Sequence, residues 1–354
     1  MKKVFNILFV ACGLLAFTAC DDDVENPYAT ESTMSVVSAD LDFEPAASQG
    51  SIVFTSTGGT VTVTSPASWC TPTLRGDSVL VSVDENTSVS GRSTVVVLHN
   101  GNDSLQVVLT QRGIVFSVSD TNMMTGDAAT RMVATYNANL DVAITSAPDW
   151  AKTTLTGDSI LVDFTENNTG HARVGYLVLN AGAVKDSIKI GQADFDKDIA
   201  GTYNFYYRES ADGPERNISV QLSENQMRLT PFGLNLPLAY DPETISFTLN
   251  SATYIGRYGS YYIYSAFMAG NYWTQYSNES SMSLLISYDD VNGTTGTFTG
   301  SILSPEGVLP YDGFLFEAFS SQSMSQQTDQ GALMSFYAPR LQRAPSSAAS
   351  NSLK

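Results

Sequence analysis

Displaced by 81 residues, one long stretch of this chain falls in register on another. Thr64-Ser65 meets Thr145-Ser146, Trp69 meets Trp150, Leu74 meets Leu155, and Gly76-Asp77-Ser78 meets Gly157-Asp158-Ser159. The matches continue with Leu80-Val81 on Leu161-Val162, Asn86 on Asn167, Arg92 on Arg173, Leu98 on Leu179, Gly101 on Gly182 and Gln111 on Gln192. Coincidence at one offset on this scale means a duplication, so a single fold of about 80 residues must serve both copies.

Each copy reads as strands. Thr60-Val61-Thr62-Val63-Thr64 alternates at period two, as do 79–83, 95–98 and 105–109, with turn formers at Gly58-Gly59, Arg75-Gly76-Asp77 and Asn100-Gly101 between them. No window keeps an apolar period of 3.6 residues, so helices are absent or minor. Short strands with regular turns in this length predict an immunoglobulin-like β-sandwich. Trp69 and Trp150 are then expected as plugs between the two sheets rather than as exposed sugar-stacking platforms. Asn86 with Arg92, and Asn167 with Arg173, are expected to pair side chains across a loop end.

The repeated pattern of Trp69, Gly76, Asn86, Arg92, Leu98, Gly101 and Gln111 resembles the BACON family, Bacteroidetes-associated modules often found N-terminal to carbohydrate-active domains. The resemblance covers about 35–195. It implies an immunoglobulin-like sandwich in a glycan-handling surface lipoprotein, with the modules binding sugar or serving as spacers.

The N-terminus addresses the compartment. Lys2 and Lys3, an apolar run from Val4 to Phe17 and then Thr18-Ala19-Cys20 read as a signal peptide, residues 1–19. Leu15-Ala16-Phe17-Thr18-Ala19-Cys20 resembles a bacterial lipobox, which makes Cys20 the expected lipid attachment. The acidic run after it, starting at Asp21-Asp22-Asp23, opens a solvated tether over residues 20–34 and resembles an export signal for the outer leaflet. With Cys20 acylated, Cys70 has no partner in the mature chain and is expected as a buried thiol. The expected location is therefore the outer membrane, lipid-anchored, at the cell surface.

Composition shifts after the duplication. Fourteen of 17 tyrosines and nine of 17 phenylalanines lie beyond residue 197, which marks a separate domain over 197–340, with 341–354 as a tail. Runs at 201–207, 218–222, 226–229, 244–249, 261–267, 283–288, 296–302 and 314–319 predict about eight strands, separated by turn formers. The simplest arrangement is a consecutive antiparallel meander, closed as a lipocalin-like barrel or left as a sandwich. The fold class expected for the whole chain is all-β, two tandem sandwiches followed by this meander domain.

Tyr258, Tyr261, Tyr272, Trp273, Gln275 and Tyr276 are the candidate glycan-binding residues. Pyranose rings stack their C–H faces on flat aromatic rings while amides and carboxylates take the rim hydroxyls, and this chemistry needs no cofactor and no metal. With 18 basic against 36 acidic side chains and no basic cluster, nucleic acid is an unsuitable partner. The C-terminal segment has no histidine for Ser/His or Cys/His chemistry, and its acids sit in no catalytic motif. Asp289-Asp290-Val291-Asn292-Gly293 reads as a hairpin turn rather than a calcium loop. The expected function is non-catalytic glycan binding at the cell surface, beside outer-membrane glycan-uptake proteins. A structural or adhesive lipoprotein with a protein partner is the alternative, and a glycoside hydrolase comes after that.

Overall fold

A computed structural model describes residues 33–274, 276 and 279–345. The segment expected as a signal peptide, Cys20, nearly all of the expected tether and Gln275 lie outside the described residues. Two units form. The first is the leading sandwich; the second joins the other sandwich to the aromatic domain.

In the first unit, β1 (Met34–Asp40), β3 (Ser48–Ser56), β6 (Ser78–Val83) and β5 (Cys70–Arg75) make one antiparallel sheet in that order. The facing sheet runs β2 (Asp42–Phe43), β8 (Asp103–Gln111), β7 (Arg92–Asn100), β4 (Val61–Thr64), with β2 parallel to β8. Alternation puts Ile52, Phe54, Val79, Val81, Val96, Leu98 and Leu109 inside, where they share one core with Cys70. Burial pushes the Cys70 thiol up, so it remains an unreactive core residue.

The second sandwich repeats this arrangement strand for strand. β9 (Phe116–Val118), β11 (Thr130–Ala138), β14 (Ser159–Phe164) and β13 (Ala151–Thr156) form one sheet. β10 (Asn122–Thr125), β16 (Val184–Gln192), β15 (Arg173–Ala181) and β12 (Val142–Ser146) form the other, with β10 again parallel to its neighbour. Gly76 and Gly157 turn their hairpins at φ 58° and 56°, and Gly101 and Gly182 at 59° and 54°. Only glycine takes that conformation without cost, which is why the offset preserves these positions.

The expected Asn–Arg pairing does not form. The Asn86 amide donates to the carbonyls of Ser90 and Arg112, both at 2.9 Å. Arg92 instead donates to Gln111 Oε1 at 2.8 Å and lays its guanidinium over Trp69, 4.2 Å from the ring centroid. Arg173 repeats this with Gln192 at 2.9 Å and Trp150 at 4.8 Å. Each Arg is therefore a lid on the tryptophan, and Asn86 and Asn167 fasten their loops to a second segment, at Arg112 and Asp127.

Between the second sandwich and the last domain lies a single π-helical turn, Phe195–Ile199. Lys197 Nζ meets Asp127 Oδ2 at 2.5 Å and Asn167 O at 3.1 Å, tying the turn back to the sandwich. Arg343 ties it forward, donating to the carbonyls of Lys197, Asp198 and Ala200 at 2.6–2.9 Å. Met124, Ala172, Ala193 and Phe195 pack on the last domain's core, and His171 stacks on Tyr288. Side-chain packing therefore continues from the sandwich into the domain beyond it.

Asp198 is fully buried in this joint, with Oδ1 lacking a donor. Burial pushes its carboxyl up, and the charge of Asp127 adds to the effect. Asp127 also pays for burial, but hydrogen bonds from Lys197 and Asn167 outweigh it and hold that carboxyl below the usual range. A raised carboxyl stabilises the fold only while protonated, and that contribution is lost as pH rises through its folded pKa. Asp198→Asn should therefore stabilise the second unit at neutral pH, on the order of 1–3 kcal/mol. The gain should shrink steadily in denaturation curves taken toward acid pH. A variant less stable than the parent at pH 7 would contradict this reading.

The last domain is a strongly curved sheet of thirteen strands. β17 (Gly201–Arg208), β18 (Glu215–Ser223), β19 (Gln226–Leu229) and β20 (Leu234–Pro237) follow one another. β21 (Ala239–Asp241) and β22 (Ser246–Asn250) pair at the far edge. β23 (Tyr254–Tyr258), β24 (Tyr261–Ala269) and β25 (Tyr272–Trp273) form a wall, in which β23 and β25 each pair with part of β24. β26 (Ser281–Asp289) and β27 (Gly293–Thr299) make a hairpin, β28 (Ser301–Ser304) and β29 (Gly307–Pro310) a separate two-stranded arm. β30 (Gly313–Phe319) backs the wall, and β31 (Asp329–Arg343) completes the sheet.

The expected simple meander is corrected by β31. Its first half pairs with β30, its second half with β17 and β27 together, and Ala338 changes direction between them at φ 47°. Pro339 follows, where no N–H is available to continue a single ladder. Strand pairing runs to Arg343 and Leu341 is buried, so the domain extends past the expected limit at 340. The result is a nearly closed, barrel-like sheet filled by Tyr203, Phe205, Phe247, Phe267, Phe314, Phe316 and Phe336. Its interior is a packed core rather than a ligand cup. At the Asp289 hairpin the carboxylate accepts from the Val291 and Asn292 amides, the arrangement of a turn.

Candidate functional site: an aromatic outer wall

Among the described residues, the exposed aromatic side chains are Tyr176, Tyr254, Tyr258, Tyr261, Trp273, Tyr276 and Tyr288. Five of these belong to the segment that builds β23 to β25. The site is therefore the wall formed by these strands with β30, and alternation decides which rings share a face of it.

On β24, Ile263 and Phe267 point into the barrel core, so Tyr262, Tyr264, Ala266 and Met268 point outward. Ala266, Met268 and Leu315 of β30 form a small cluster on this outer face with Tyr337. Tyr254 joins them by ring contacts at 6.3 Å to Tyr262 and 5.4 Å to Tyr264. The row continues from Tyr264 to Phe319 at 5.5 Å and from Phe319 to Tyr276 at 6.0 Å. Tyr264 and Phe319 are buried, whereas Tyr254 and Tyr276 at its ends are 41% and 37% exposed. Trp273, 45% exposed, is the register partner of Met268 and so belongs to the same face.

The six sequence candidates are thus divided. Trp273 and Tyr276 lie on the outer face. Tyr258 and Tyr261 are cross-strand partners at the β23–β24 hairpin tip, with the opposite parity on β24, and Tyr272 has that opposite parity too. Tyr261 and Ala269 end a nine-residue strand, which separates the hairpin tip from β25 by about 25 Å. Gln275 lies outside the described residues. Tyr254, Tyr262, Phe319 and Asp329 were not among the candidates; for the first two, the alternation of tyrosines across a hairpin was an available signal.

Polar groups surround the rings. The Tyr276 hydroxyl donates to Asp329 Oδ2 at 2.7 Å, and that hydrogen bond, with burial behind it, pushes the phenol up to about 12. Tyr276 therefore stays a neutral donor at any physiological pH. It adopts φ 58°, a conformation that a bulky side chain keeps only when its contacts hold it there. Thr274 brings the chain to this point by exchanging two hydrogen bonds with the Phe267 backbone, at 2.9 and 3.1 Å. Tyr264 is anchored by donating to Gln322 O at 2.8 Å. Arg257 places its guanidinium 4.8 Å from the centre of the Tyr262 ring. Glu317 is buried on β30 with its side chain on this face. Near Trp273, the Tyr272 hydroxyl donates to Glu306 at 3.4 Å.

Two other features offer less. The Trp69 and Trp150 rings are half-buried against their cores and covered by Arg92 and Arg173, which leaves no free face for a sugar. A cavity of about 340 Å³ opens where β31 leaves β17, lined by Tyr207, Phe232, Leu333, Met334 and Phe336. Its one acid, Glu209, pairs with Arg216 at 3.0 Å, and a glycosidase needs two facing carboxylates.

Comparison with known proteins adds the family of the repeats. Residues 59–112 and 141–193 match the model of the BACON family, described as "Putative binding domain, N-terminal". No curated protein matches the chain. Among solved structures, a chimeric titin Z1Z2 shares 5% identity over 46% of this chain and 97% of its own, with a TM-score of 0.27. The I9-I11 tandem of titin shares 7% over 82% and 96%, at 0.34. An endo-fucoidan hydrolase of glycoside hydrolase family 107 shares 16% over 46% and 28%, at 0.23. At these scores the likenesses carry no argument. The family match falls on the two copies of the duplication, and the chain thus carries two BACON domains in tandem, ahead of the aromatic-walled β-domain.

Proposed function

We propose that this is a non-catalytic, lipid-anchored surface protein that binds glycan on the outer aromatic wall of its last domain. The observation that supports it is the concentration of exposed rings on one wall, beside hydroxyl and carboxylate groups able to take sugar hydroxyls. The two BACON domains then act as spacers, since their tryptophans are covered. Anchoring through Cys20 places the wall away from the outer membrane, near proteins that take up glycan.

Affinity electrophoresis against plant and host glycans tests the binding. At least one should retard the protein, and Tyr276→Ala, which removes one exposed ring, should weaken retardation at least tenfold, about 1.4 kcal/mol. Retardation by no glycan would sink the reading. For the anchor, Cys20→Ala should move the protein out of the membrane fraction, and its retention there would refute lipidation.

A second reading, adhesion to a protein partner, is favoured by the β28–β29 arm. Leu303 and Val308 are register partners there and are 80% and 69% exposed. Recovery of a stoichiometric protein partner from outer membranes, lost on Leu303→Ser, with no glycan affinity would favour it over the first.

A further inference from the structure

We infer that the outer wall takes one extended, uncharged polysaccharide chain, held at several rings at once, rather than a chain end, a short oligosaccharide or an anionic glycan. This rests on the glycan-binding reading above and names the class of ligand within it.

Extension follows from the placement of the exposed rings. Tyr254 and Tyr276 end a row that crosses β23, β24 and β30, with ring spacings of 5.4, 5.5 and 6.0 Å. Trp273 lies beside Met268, four residues along β24 from Tyr264, which is about 13 Å at the rise of a strand. One sugar covers one ring, so only a chain reaches from Trp273 to the tyrosine row. Tyr264, Ala266, Met268 and Phe319, which lie between the exposed rings, are themselves buried, so the contacts fall on Tyr254, Trp273 and Tyr276. Their spacing is stiff, because β24 is hydrogen-bonded to β30 on one side and to β23 and β25 on the other. Fixed spacing makes the second contact intramolecular, which raises avidity by about 100-fold or more without any new type of contact.

The charge of the ligand follows from what surrounds the rings. Asp329 faces Tyr276 on this face, and Asp312 accepts from the Gly270 amide at the adjoining turn. The cation beside the row is Arg257, whose guanidinium already lies on Tyr262 and donates to Ser260 O at 3.3 Å. Sulfate or uronate groups would be set against these two carboxylates, with one engaged guanidinium to offset them. Like charges so juxtaposed act strongly against binding. Neutral hydroxyls instead find acceptors in the carboxylates and in the Tyr276 hydroxyl oxygen, whose own proton is held by Asp329.

The test is calorimetry on the full chain with soluble galactomannan, xyloglucan, mixed-linkage glucan and amylopectin, with short oligosaccharides of each, and with polygalacturonate and a sulfated galactan. A neutral polymer should bind at least tenfold more tightly than its own short oligosaccharides, and the two anionic polymers should not bind. Trp273→Ala and Tyr254→Ala should each cost the polymer tenfold or more, with unchanged melting temperatures. The double variant should bind polymer no better than oligosaccharide. Equal affinity for short and long neutral ligands, or tighter binding of either anionic polymer, would overturn this inference while leaving glycan binding intact. Binding of no glycan at all would overturn both.

Discussion

Phe336→Ala should destabilise the C-terminal β-domain by about 3–5 kcal/mol, a large part of the total stability of a typical domain. The ring is buried at 1% exposure and touches four others, Phe205 at 5.4 Å, Tyr207 at 4.9 Å, Phe314 at 5.0 Å and Phe316 at 4.9 Å. Those partners come from β17 and β30. Their separation is fixed by hydrogen-bonded ladders, so they cannot collapse into the space left behind. A cavity remains, and its cost adds to the lost transfer free energy. Urea denaturation would measure the change, with the exposed Val308→Ala expected within about 0.5 kcal/mol of the parent. A loss below about 1 kcal/mol would mean that the ring network repacks, contrary to a rigid barrel core.

Gln111→Leu should cost the first sandwich about 2–4 kcal/mol although it keeps the size of the side chain. The amide is 1% exposed and its Nε2 donates toward three carbonyls, those of Glu44, Pro45 and Asp84, at 3.0–3.2 Å. Its Oε1 accepts from Arg92. Leucine replaces none of this: the three carbonyls lose the amide donor, and Arg92 loses one of its two acceptors and keeps Asp84 O at 2.7 Å. Trp69 offers a second readout, because Arg92 loses part of what orients it over the indole, and the emission of Trp69 should shift. Gln192→Leu should do the same beneath Arg173 and Trp150, since Gln192 donates to Gly126 O, Asp127 O and Ala128 O. If Gln111→Leu melts like the parent, the glutamine is not the pin of this sandwich.

The repeat made this pin visible before its geometry was known. Trp69, Arg92 and Gln111 and their counterparts 81 residues on were legible because one offset recovers all of them. What they do to each other was not, since Asn86 was an equally good partner for Arg92 on spacing alone. The alternating strand at 218–222 and the apolar run at 314–319 were equally legible. β31 was not, because Gly331 and Pro339 interrupt it and its two halves answer to different neighbours. Missing it produced the simple meander. The aromatic site was legible as a composition and misleading as a cluster. Nearness in sequence grouped Tyr258 with Trp273, but an extended strand lies between them, and alternation turns neighbours to opposite faces. Phe319 and Asp329, far along the chain from Tyr276, enter the site through the pairing of β30 with β31.

The forked strand also sets a timetable. Arg343 pairs with Tyr203 while Phe319 pairs with Asp329, so the segment that joins the first strand of the domain to its aromatic wall is made last. During synthesis, the two sandwiches can complete their ladders while β17, β27 and β30 still present open edges. Such edges are templates for mispairing. Until residues 329–343 emerge the domain has nothing to close it, and a holding factor bound to nascent chains would have to shield those edges for longer here than in either repeat.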